Sequence, residues 1–237
     1  MPGGKGARLD FRRAERTGLP EIILAEGKDP DDLEDIISAL ARAGLGAVIS
    51  RVKGRNMQRL RKMAAGGLRL RFNPRTDVVV LEGTRRGNLL RGRTAAVLSA
   101  GTADLRVAEE VATILHTMGV TVFRAYDVGV AGMHRLLTAM KDPGARRAQV
   151  FIVCAGREGA LPTVVAGMID RPVIAVPTSV GYGRGARGEG ALTAMLQSCA
   201  PLAVVNVDGG VPAALVAAQF LRHLPPAGPA PRGRAAR

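Results

Sequence analysis

Five apolar runs in the second half of the chain, each followed by a helix-like pattern, constrain the fold more than any other feature. The runs are AAVLSAG, VTVFRAYDVG, AQVFIVCAG, RPVIAVPTS and LAVVNVDGG. They do not alternate between apolar and polar residues, which is typical of strands that are buried on both faces. Strands of this kind that alternate with helices form a parallel sheet covered on both sides. We therefore predict a doubly wound, three-layer α/β domain over residues 94–224.

The first part of the chain has a less regular pattern. Strand-like runs at PEIILAEG, LGAVISRV and TDVVVLEG alternate with helical patterns at DPDDLEDIISALARAG and GRNMQRLRKMAAG. We predict a smaller N-terminal α/β lobe over residues 19–93. Residues 1–18 and 225–237 are rich in Gly, Pro and Arg and offer little to bury, so we predict that both are flexible tails.

The net charge of +14 is concentrated in one segment. Residues 51–93 hold 13 Lys and Arg against two acidic residues, a local net charge of +11, whereas residues 94–224 hold 11 basic and nine acidic residues. A basic run is most often a solvated face, and it can also bind phosphate-bearing small ligands or nucleic acid. Aromatic residues make up only 3% of the chain and Trp is absent, which argues against stacking platforms for single-stranded nucleic acid. A nucleic-acid-binding protein without enzyme activity therefore stays only as an alternative, and the role of this segment is left open.

The two cysteines are too few for a disulfide framework. They share no CxxC or Cys/His spacing, so we expect no metal site built on them. No N-terminal apolar stretch resembles a signal peptide, and no run reaches the roughly 18 apolar residues of a membrane span. We expect a cytoplasmic protein with reduced thiols and no membrane partner.

Polar clusters follow the predicted strands at their carboxyl ends, where open parallel sheets bind ligands. The first cluster, SAGTAD, spans residues 99–104. Backbone N–H groups there, together with Ser99, Gly101 and Thr102, could hold a phosphate. Thr102 or Asp104 could equally be an ordinary helix N-cap, and the sequence favours neither interpretation.

Two further clusters follow the third and fourth strands. Glu158, in CAGREGALP, precedes a helix, where a carboxylate can act as a general acid or base or can simply favour the helix dipole. The loop PTSVGYGRGARGEG offers bare backbone to a ligand, and its candidate residues are Ser179, Gly181 and Gly183. It lacks the GK[ST] of a Walker motif. His134, in VAGMHRLL, is open between a structural role and a binding role.

Cys199 lies in QSCAP, between the fourth helix and the fifth strand. Cysteine is among the residue types most often buried, so a small core residue is the first interpretation. A residue between a helix and the next strand also lies away from the ligand crevice of its own chain. The other interpretation is therefore that Cys199 lines the site of a neighbouring subunit. Cys154, in the middle of VFIVCAG, is predicted to be a core residue.

The order of motifs from Thr94 onward resembles the phosphoribosylaminoimidazole carboxylase family, through SAGTAD, CAGREGALP and RPVIAVP. Over most of the chain, a more specific set resembles the LarB-type enzymes of nickel-pincer nucleotide biosynthesis. That set comprises RTGLPEIILAEGKDPDDLEDI, SAGTADLRVAEE, YDVGVAGMHRLL, EGALPTVVAGMIDRPVIAVPTSVGYG and SCAP. Several long motifs in one order are far more specific than a single glycine pattern.

The resemblance implies a substrate and a reaction. The substrate would be nicotinic acid adenine dinucleotide, with carbon dioxide or bicarbonate as the second substrate. The enzyme would carboxylate the pyridinium ring and hydrolyse the phosphoanhydride, giving pyridinium-3,5-biscarboxylic acid mononucleotide and AMP. No cofactor is required by this chemistry, and a Mg²⁺ ion on the dinucleotide phosphates is left open.

The resemblance also implies roles for residues. Cys199 becomes the nucleophile, Glu158 the active-site glutamate, and Asp104 a catalytic member of the substrate loop. The residues expected to bind substrate and phosphate are Ser99, Gly101, Thr102, His134, Ser179, Gly181 and Gly183. Related carboxylases form octamers, so a homo-oligomer is implied, in which Cys199 could enter a site shared between subunits.

Three departures from the family pattern affect substrate recognition more than the fold. Leu202 follows SCAP where the family usually has Gly, residues 184–187 read RGAR where small residues are usual, and DGGVPA replaces a more usual Asn-Gly-Phe-Gly-like stretch. The alternative enzyme is a carboxylase or mutase acting on aminoimidazole ribonucleotide in purine biosynthesis. That chemistry needs a histidine near the second strand–helix loop, where His134 is a loose match, and it needs no cysteine.

Overall fold

The structure is a computed structural model that describes Asp10, Thr17 and residues 19–84 and 90–227. The chain divides into two compact units, residues 1–89 and 90–237. The two predicted tails lie outside the described residues, except for Asp10, Thr17 and residues 225–227. Within the described ranges, no helix combines the length and the apolar character that crossing a membrane requires.

The described residues of the first unit form a four-stranded mixed sheet with two helices, which confirms the prediction of a smaller α/β lobe. The sheet order is β1-β2-β4-β3, with β1 parallel to β2 and the other pairs antiparallel. Its elements are β1 (Glu21–Leu24), α1 (Pro30–Arg42), β2 (Ala47–Ser50), α2 (Gly54–Ala65), β3 (Leu70–Phe72) and β4 (Val79–Leu81). Strand β3 was not predicted, because it is only three residues long and its apolar residues alternate with arginine.

Helix α1 begins where the sequence places its start signals. The carboxylate of Asp29 accepts a hydrogen bond from the backbone N–H of Asp31 (2.9 Å), and Pro30 occupies the first turn, where a missing N–H costs nothing. Leu33 and Ile37 are fully buried and pack in one core with Ile49 of β2. The apolar stripe of α1 therefore fixes this helix to the sheet.

The basic segment is partly neutralised within the first unit. The Arg59 guanidinium on α2 pairs with Asp31 (2.7 Å) and with Glu34, both on α1. Three more pairs join Arg51 to Glu26, Lys53 to Asp77 and Arg71 to Glu82. Exposed pairs of this kind contribute little stability, but they reduce the positive field that a polyanion would meet.

The second unit is a five-stranded parallel sheet with helices on both faces, which confirms the predicted doubly wound fold. The sheet order is β6-β5-β7-β8-β9. The strands are β5 (Thr94–Ser99), β6 (Thr121–Ala125), β7 (Val150–Ala155), β8 (Val173–Pro177) and β9 (Ala203–Val204). The helices are α3 (Leu105–Thr117), α4 (Met133–Met140), α5 (Pro143–Arg147), α6 (Ala160–Ala166), α7 (Glu189–Leu196) and α8 (Gly210–His223).

The three central strands are buried along their whole length. Every residue of β5, β7 and β8 is buried, because α3 and α8 cover one face of the sheet and α4, α6 and α7 pack on the other. This explains the strand runs that do not alternate in polarity. Cys154 in β7 is fully buried, which confirms its prediction as a core residue.

Helix α5 is the one helix of the second unit that the sequence did not predict among the residues described. Its start, Asp-Pro-Gly, reads as a turn. In the structure, the carboxylate of Asp142 caps the helix by accepting a hydrogen bond from the N–H of Gly144 (2.6 Å). The same three residues can therefore start a short helix as well as a turn.

The strand order locates the ligand crevice. Strands β5 and β7 are neighbours in the sheet although β6 lies between them in the chain. The connection after β5 therefore leaves in one direction and the connection after β7 leaves in the other. In open parallel sheets, ligands bind where the connections diverge in this way, beyond the carboxyl ends of the two strands. The loops after β5 and β7 define the candidate site.

Candidate active site

A buried carboxylate, Asp104, lies at the centre of the candidate site. Only 3% of this residue is exposed. One carboxylate oxygen accepts a hydrogen bond from the N–H of Gly101 (2.8 Å), and the other accepts one from the hydroxyl of Thr178 (2.5 Å). The N–H of Gly156 also donates to this carboxylate. Asp104 therefore joins the loops that follow β5, β7 and β8.

The surroundings of Asp104 change its acidity. Burial raises the pKa of Asp104 above its ordinary value, the three hydrogen bonds oppose the rise, and the negative charge of Asp208 adds to it. Desolvation outweighs the hydrogen bonds. The helix-cap interpretation accounts for the bond from Gly101, but it does not account for the bonds from Thr178 and Gly156. A carboxyl group with a raised pKa in a crevice is suited to accept and release a proton.

Gly156 explains why the loop after β7 can reach Asp104. A Cβ atom at this position would collide with the carbonyl oxygen of Val180 and would lie 2.7 Å from the Thr178 hydroxyl. Only glycine lets the loops after β7 and β8 approach so closely. The glycine in CAGREG is therefore a packing requirement of the site.

Ser99 anchors the loop that follows β6. It is fully buried, and its hydroxyl accepts a hydrogen bond from the N–H of Asp127 (3.2 Å). Asp127 in turn forms an ion pair with Arg135 of α4. The neighbouring His134 is exposed on the first turn of α4. Ser99 at the end of β5 thus holds Asp127, and Asp127 holds Arg135. The first turn of α4, which also carries His134, therefore lies at the carboxyl edge of the sheet.

A second aspartate, Asp208, joins the last two strand ends. Its carboxylate accepts a hydrogen bond from the N–H of Ser179 (2.9 Å), and its own N–H donates to the carbonyl of Pro177 (2.8 Å). The side chain of Ser179 remains exposed. Asp104 and Asp208 together connect the loops after β5, β7, β8 and β9.

The remaining predicted residues of the crevice are accessible. Thr102 begins the turn Thr102–Asp104 and is exposed, and so is Glu158, whose carboxylate lies 3.9 Å from the Arg157 guanidinium. In the glycine-rich loop, Gly181 is half-buried. Gly183 is exposed and adopts a φ of +61° that favours glycine. These groups face solvent at the edge where a ligand would bind.

Cys199 is exposed, so its interpretation as a core residue is wrong. It follows α7 and precedes β9, and because all strands of this sheet are parallel it lies at the amino edge. The neighbouring Ser198 hydroxyl holds this segment by bonding to Thr163 (2.9 Å) and to the N–H of Ala200 (3.1 Å). One chain therefore brings Asp104 and Glu158 to the same edge of the sheet, but it does not bring Cys199 there.

Sequence reasoning did not single out Thr178, Asp208 or Gly156 as site residues. Asp208 lies in the loop after β9 as Asp104 lies in the loop after β5, so its position at a strand end was a usable signal. Thr178 directly follows β8 and carried the same signal, but its partner Asp104 lies 74 residues away in the chain, so the sequence could not show the bond between them. In the described part of the chain, no group of three or more His, Cys, Asp and Glu residues could hold a metal ion.

Thr178→Val should raise the pKa of Asp104 further. The Thr178 hydroxyl donates to the ionised carboxylate and stabilises it, and the substitution removes this bond. The pKa of Asp104 is higher in the folded protein than in the unfolded chain, so protonation of Asp104 favours the folded state. This contribution to the free energy of unfolding is complete below the ordinary pKa of aspartate and is lost as the pH rises through the raised pKa. The variant should therefore be less stable than the wild type by about 1.5–3 kcal/mol at pH 7, with a smaller difference at pH 3. Urea denaturation at the two pH values measures this, and an equal difference at both would contradict it.

Both units of the chain match known protein families. Residues 94–226 match the AIR carboxylase family, and residues 4–83 match the LarB/PurE-like N-terminal domain. The chain is 37% identical over 213 residues to an uncharacterized protein of Methanocaldococcus jannaschii, covering 89% of this chain and 82% of that protein.

Two further relatives match about half of the chain. An N5-carboxyaminoimidazole ribonucleotide mutase of the same organism is 34% identical over 131 residues, which cover 53% of this chain and 76% of the mutase. A probable N5-carboxyaminoimidazole ribonucleotide mutase of Methanothermobacter thermautotrophicus is also 34% identical over 131 residues, which are 37% of its length.

Proposed function

Because this chain belongs to the LarB type of the AIR carboxylase family, we propose that it carboxylates the pyridinium ring of nicotinic acid adenine dinucleotide and hydrolyses the phosphoanhydride. The products would be pyridinium-3,5-biscarboxylic acid mononucleotide and AMP, in nickel-pincer nucleotide biosynthesis. The family supports a carboxylase-type enzyme. The observation that carries the finer proposal is the exposed thiol of Cys199, which is accessible to a substrate.

A thiol nucleophile suits the chemistry of the ring. A pyridinium carbon is too electron-poor to attack carbon dioxide. Addition of the Cys199 thiolate at carbon 4 forms a C–S bond and makes the ring an enamine, which is nucleophilic at the adjacent carbon. That carbon forms a bond to carbon dioxide. Loss of the proton from the same carbon to a base, followed by departure of the thiolate, restores the aromatic cation.

Two carboxylates are candidates for the proton transfers. Asp104 is buried and has a raised pKa, so it can hold a proton at a higher pH than an exposed aspartate. Glu158 is exposed at the same edge and can exchange protons with solvent. In this proposal, one carboxylate removes the ring proton. Hydrolysis then breaks one P–O bond of the phosphoanhydride. The water oxygen goes to the phosphorus that is attacked, the bridging oxygen stays on the other phosphate, and AMP and the mononucleotide separate.

The phosphates need hydrogen-bond donors, and several exposed groups could supply them. The candidates are the hydroxyls of Thr102 and Ser179, the imidazole of His134, and the backbone around Gly181 and Gly183. The Ser99 hydroxyl and the Gly101 N–H already have partners within the chain, so they shape the loop. A Mg²⁺ ion, if used, would be held mainly by the substrate's own phosphates.

A site that includes Cys199 requires a second chain in this proposal. Cys199 and Asp104 lie at opposite edges of the sheet. Leu196, three residues before Cys199, is 66% exposed, and Met168, which follows α6 at the same edge, is also exposed. Exposed apolar side chains around Cys199 are suited to contact with another subunit. A homo-oligomer would bring Cys199 of one subunit to the crevice of its neighbour, and the octamers of related carboxylases are one such arrangement.

The alternative activity is that of an aminoimidazole ribonucleotide carboxylase or mutase. The 34% identity to two N5-carboxyaminoimidazole ribonucleotide mutases favours it. Those relatives align with 53% of this chain, whereas residues 4–83 also match the LarB/PurE-like N-terminal domain. This difference is why the dinucleotide is the preferred substrate.

Mass spectrometry of the products tests the proposed function. The full chain is incubated with nicotinic acid adenine dinucleotide and ¹³C-labelled bicarbonate, and in parallel with aminoimidazole ribonucleotide and with its N5-carboxy form. We expect AMP and a mononucleotide that carries one labelled carboxylate from the first reaction, and no turnover in the other two. Turnover of an imidazole substrate alone would establish the alternative activity.

A further inference from the structure

Tyr182 is an aromatic side chain in an unusual position. It lies in the glycine-rich loop after β8, at the carboxyl edge of the sheet, and 74% of it is exposed. The chain has only two Tyr, five Phe and no Trp. A large ring that is left in water while aromatic residues are this scarce is a candidate for contact with a ligand.

The Tyr182 ring is held by Arg157, which belongs to the loop after β7. The Arg157 guanidinium lies 5.0 Å from the ring centroid and donates a hydrogen bond to the Tyr182 hydroxyl (3.1 Å). The backbone N–H of Arg157 also donates to the carbonyl of Val180 (2.8 Å). Tyr182 and Arg157 thus form one unit across the two loops, at the edge of the sheet where the connections after β5 and β7 leave in opposite directions.

The exposure of Tyr182 leaves room for a second stacked group. Arg157 lies over one face of the ring, and Tyr182 nevertheless stays 74% exposed, which leaves the opposite face for a ligand. A planar heteroaromatic ring can stack on that face. Arg157 itself is exposed, and its ion pair with the exposed Glu158 is long at 3.9 Å, which leaves its charge available to a phosphate.

We propose that Tyr182 and Arg157 bind the adenine nucleotide half of the substrate, with the adenine stacked on Tyr182 and a phosphate paired with Arg157. The proposal rests on the proposed function, because the dinucleotide supplies both rings. The charge of each ring decides whether adenine or the pyridinium stacks on Tyr182. The pyridinium ring is a cation and is repelled by the guanidinium beside Tyr182, whereas adenine is neutral at pH 7. Tyr182 and Arg157 therefore select the AMP end of the dinucleotide.

Binding of AMP and of ribose 5-phosphate tests this without any carboxylation. Ribose 5-phosphate has the phosphate and the sugar but no base. By isothermal titration calorimetry on the full chain, Tyr182→Leu should weaken AMP binding by about tenfold and leave ribose 5-phosphate binding unchanged. Tyr182→Phe keeps the ring and should stay within about twofold of the wild type. Arg157→Gln should weaken the binding of both compounds.

The outcomes separate this proposal from the proposed function. Equal effects of Tyr182→Leu on the two compounds, or no effect on AMP, would overturn the stacking role whether or not the enzyme carboxylates the dinucleotide. A change in oligomeric mass in Tyr182→Leu, measured by light scattering, would also overturn it, because Tyr182 would then be an interface residue. AMP binding that depends on Tyr182, in a protein that does not carboxylate the dinucleotide, would support an adenine nucleotide site with a different reaction.

Discussion

Replacement of Cys199 by alanine is expected to abolish carboxylation of nicotinic acid adenine dinucleotide while the fold stays intact. Without a thiolate, the pyridinium ring cannot be converted to a nucleophile, so the rate should fall by about three orders of magnitude or more. Because Cys199 is exposed and belongs to no core cluster, the variant should unfold at the same urea concentration as the wild type. Incorporation of labelled bicarbonate measures the reaction.

Cys154 provides the matched control within the same chain. Its side chain is fully buried in β7, and burial raises the pKa of its thiol above the ordinary value. Cys154→Ala should cost about 1 kcal/mol of stability through the small cavity it leaves, and it should keep its activity. Alkylation of the native protein should label Cys199 and spare Cys154. Full turnover in Cys199→Ala would refute the covalent mechanism, whichever substrate is used.

Asp104→Ala is expected to damage both stability and activity. The substitution leaves the Thr178 hydroxyl and the backbone N–H groups of Gly101 and Gly156 without their acceptor in a buried place. Unsatisfied buried donors cost about 1–3 kcal/mol each, so we expect a loss of about 3 kcal/mol or more in the free energy of unfolding. The loops after β5, β7 and β8 also lose their shared anchor, and turnover should fall by about 100-fold or more.

Two comparisons distinguish this role from a general effect of removing a carboxylate. Asp104→Asn keeps one acceptor oxygen, so its loss of stability should be smaller than that of Asp104→Ala. Glu189→Ala removes an exposed acidic residue from the first turn of α7 and should change stability by less than about 1 kcal/mol. Thermal and urea denaturation provide the values. An Asp104→Ala protein as stable as Glu189→Ala would mean that this carboxylate does not hold the loops together.

The sheet of the second unit could be predicted because strands that are buried on both faces consist almost entirely of apolar residues, and such runs are visible in the sequence. The runs at β5, β7 and β8 contain almost no polar residues, and each is followed by a helical pattern. Strand β3 and helix α5 are less visible in the sequence. A three-residue strand such as Leu70–Phe72 is defined by its pairing with β4, which is a contact between segments and not a local pattern.

The candidate site could be predicted in part. The rule that ligands bind at strand ends identified the loops that contain Asp104, Glu158 and Ser179. It could not show that Asp104 is buried and bonded to Thr178, since that bond depends on two loops approaching across Gly156. Nor could it show the exposure of Cys199, because residue statistics favour burial and only packing decides a single case.

The position of Cys199 at the amino edge of the sheet has a consequence for experiments with mixed chains. If each site takes its thiol from one chain and its carboxylates from another, two inactive variants can repair one another. Cys199→Ala and Glu158→Gln chains, dissociated together and allowed to reassemble, would form some sites that contain neither substitution. Such hybrids would regain part of the activity that both parents lack, and dilution would remove it again as the assemblies separate into single chains.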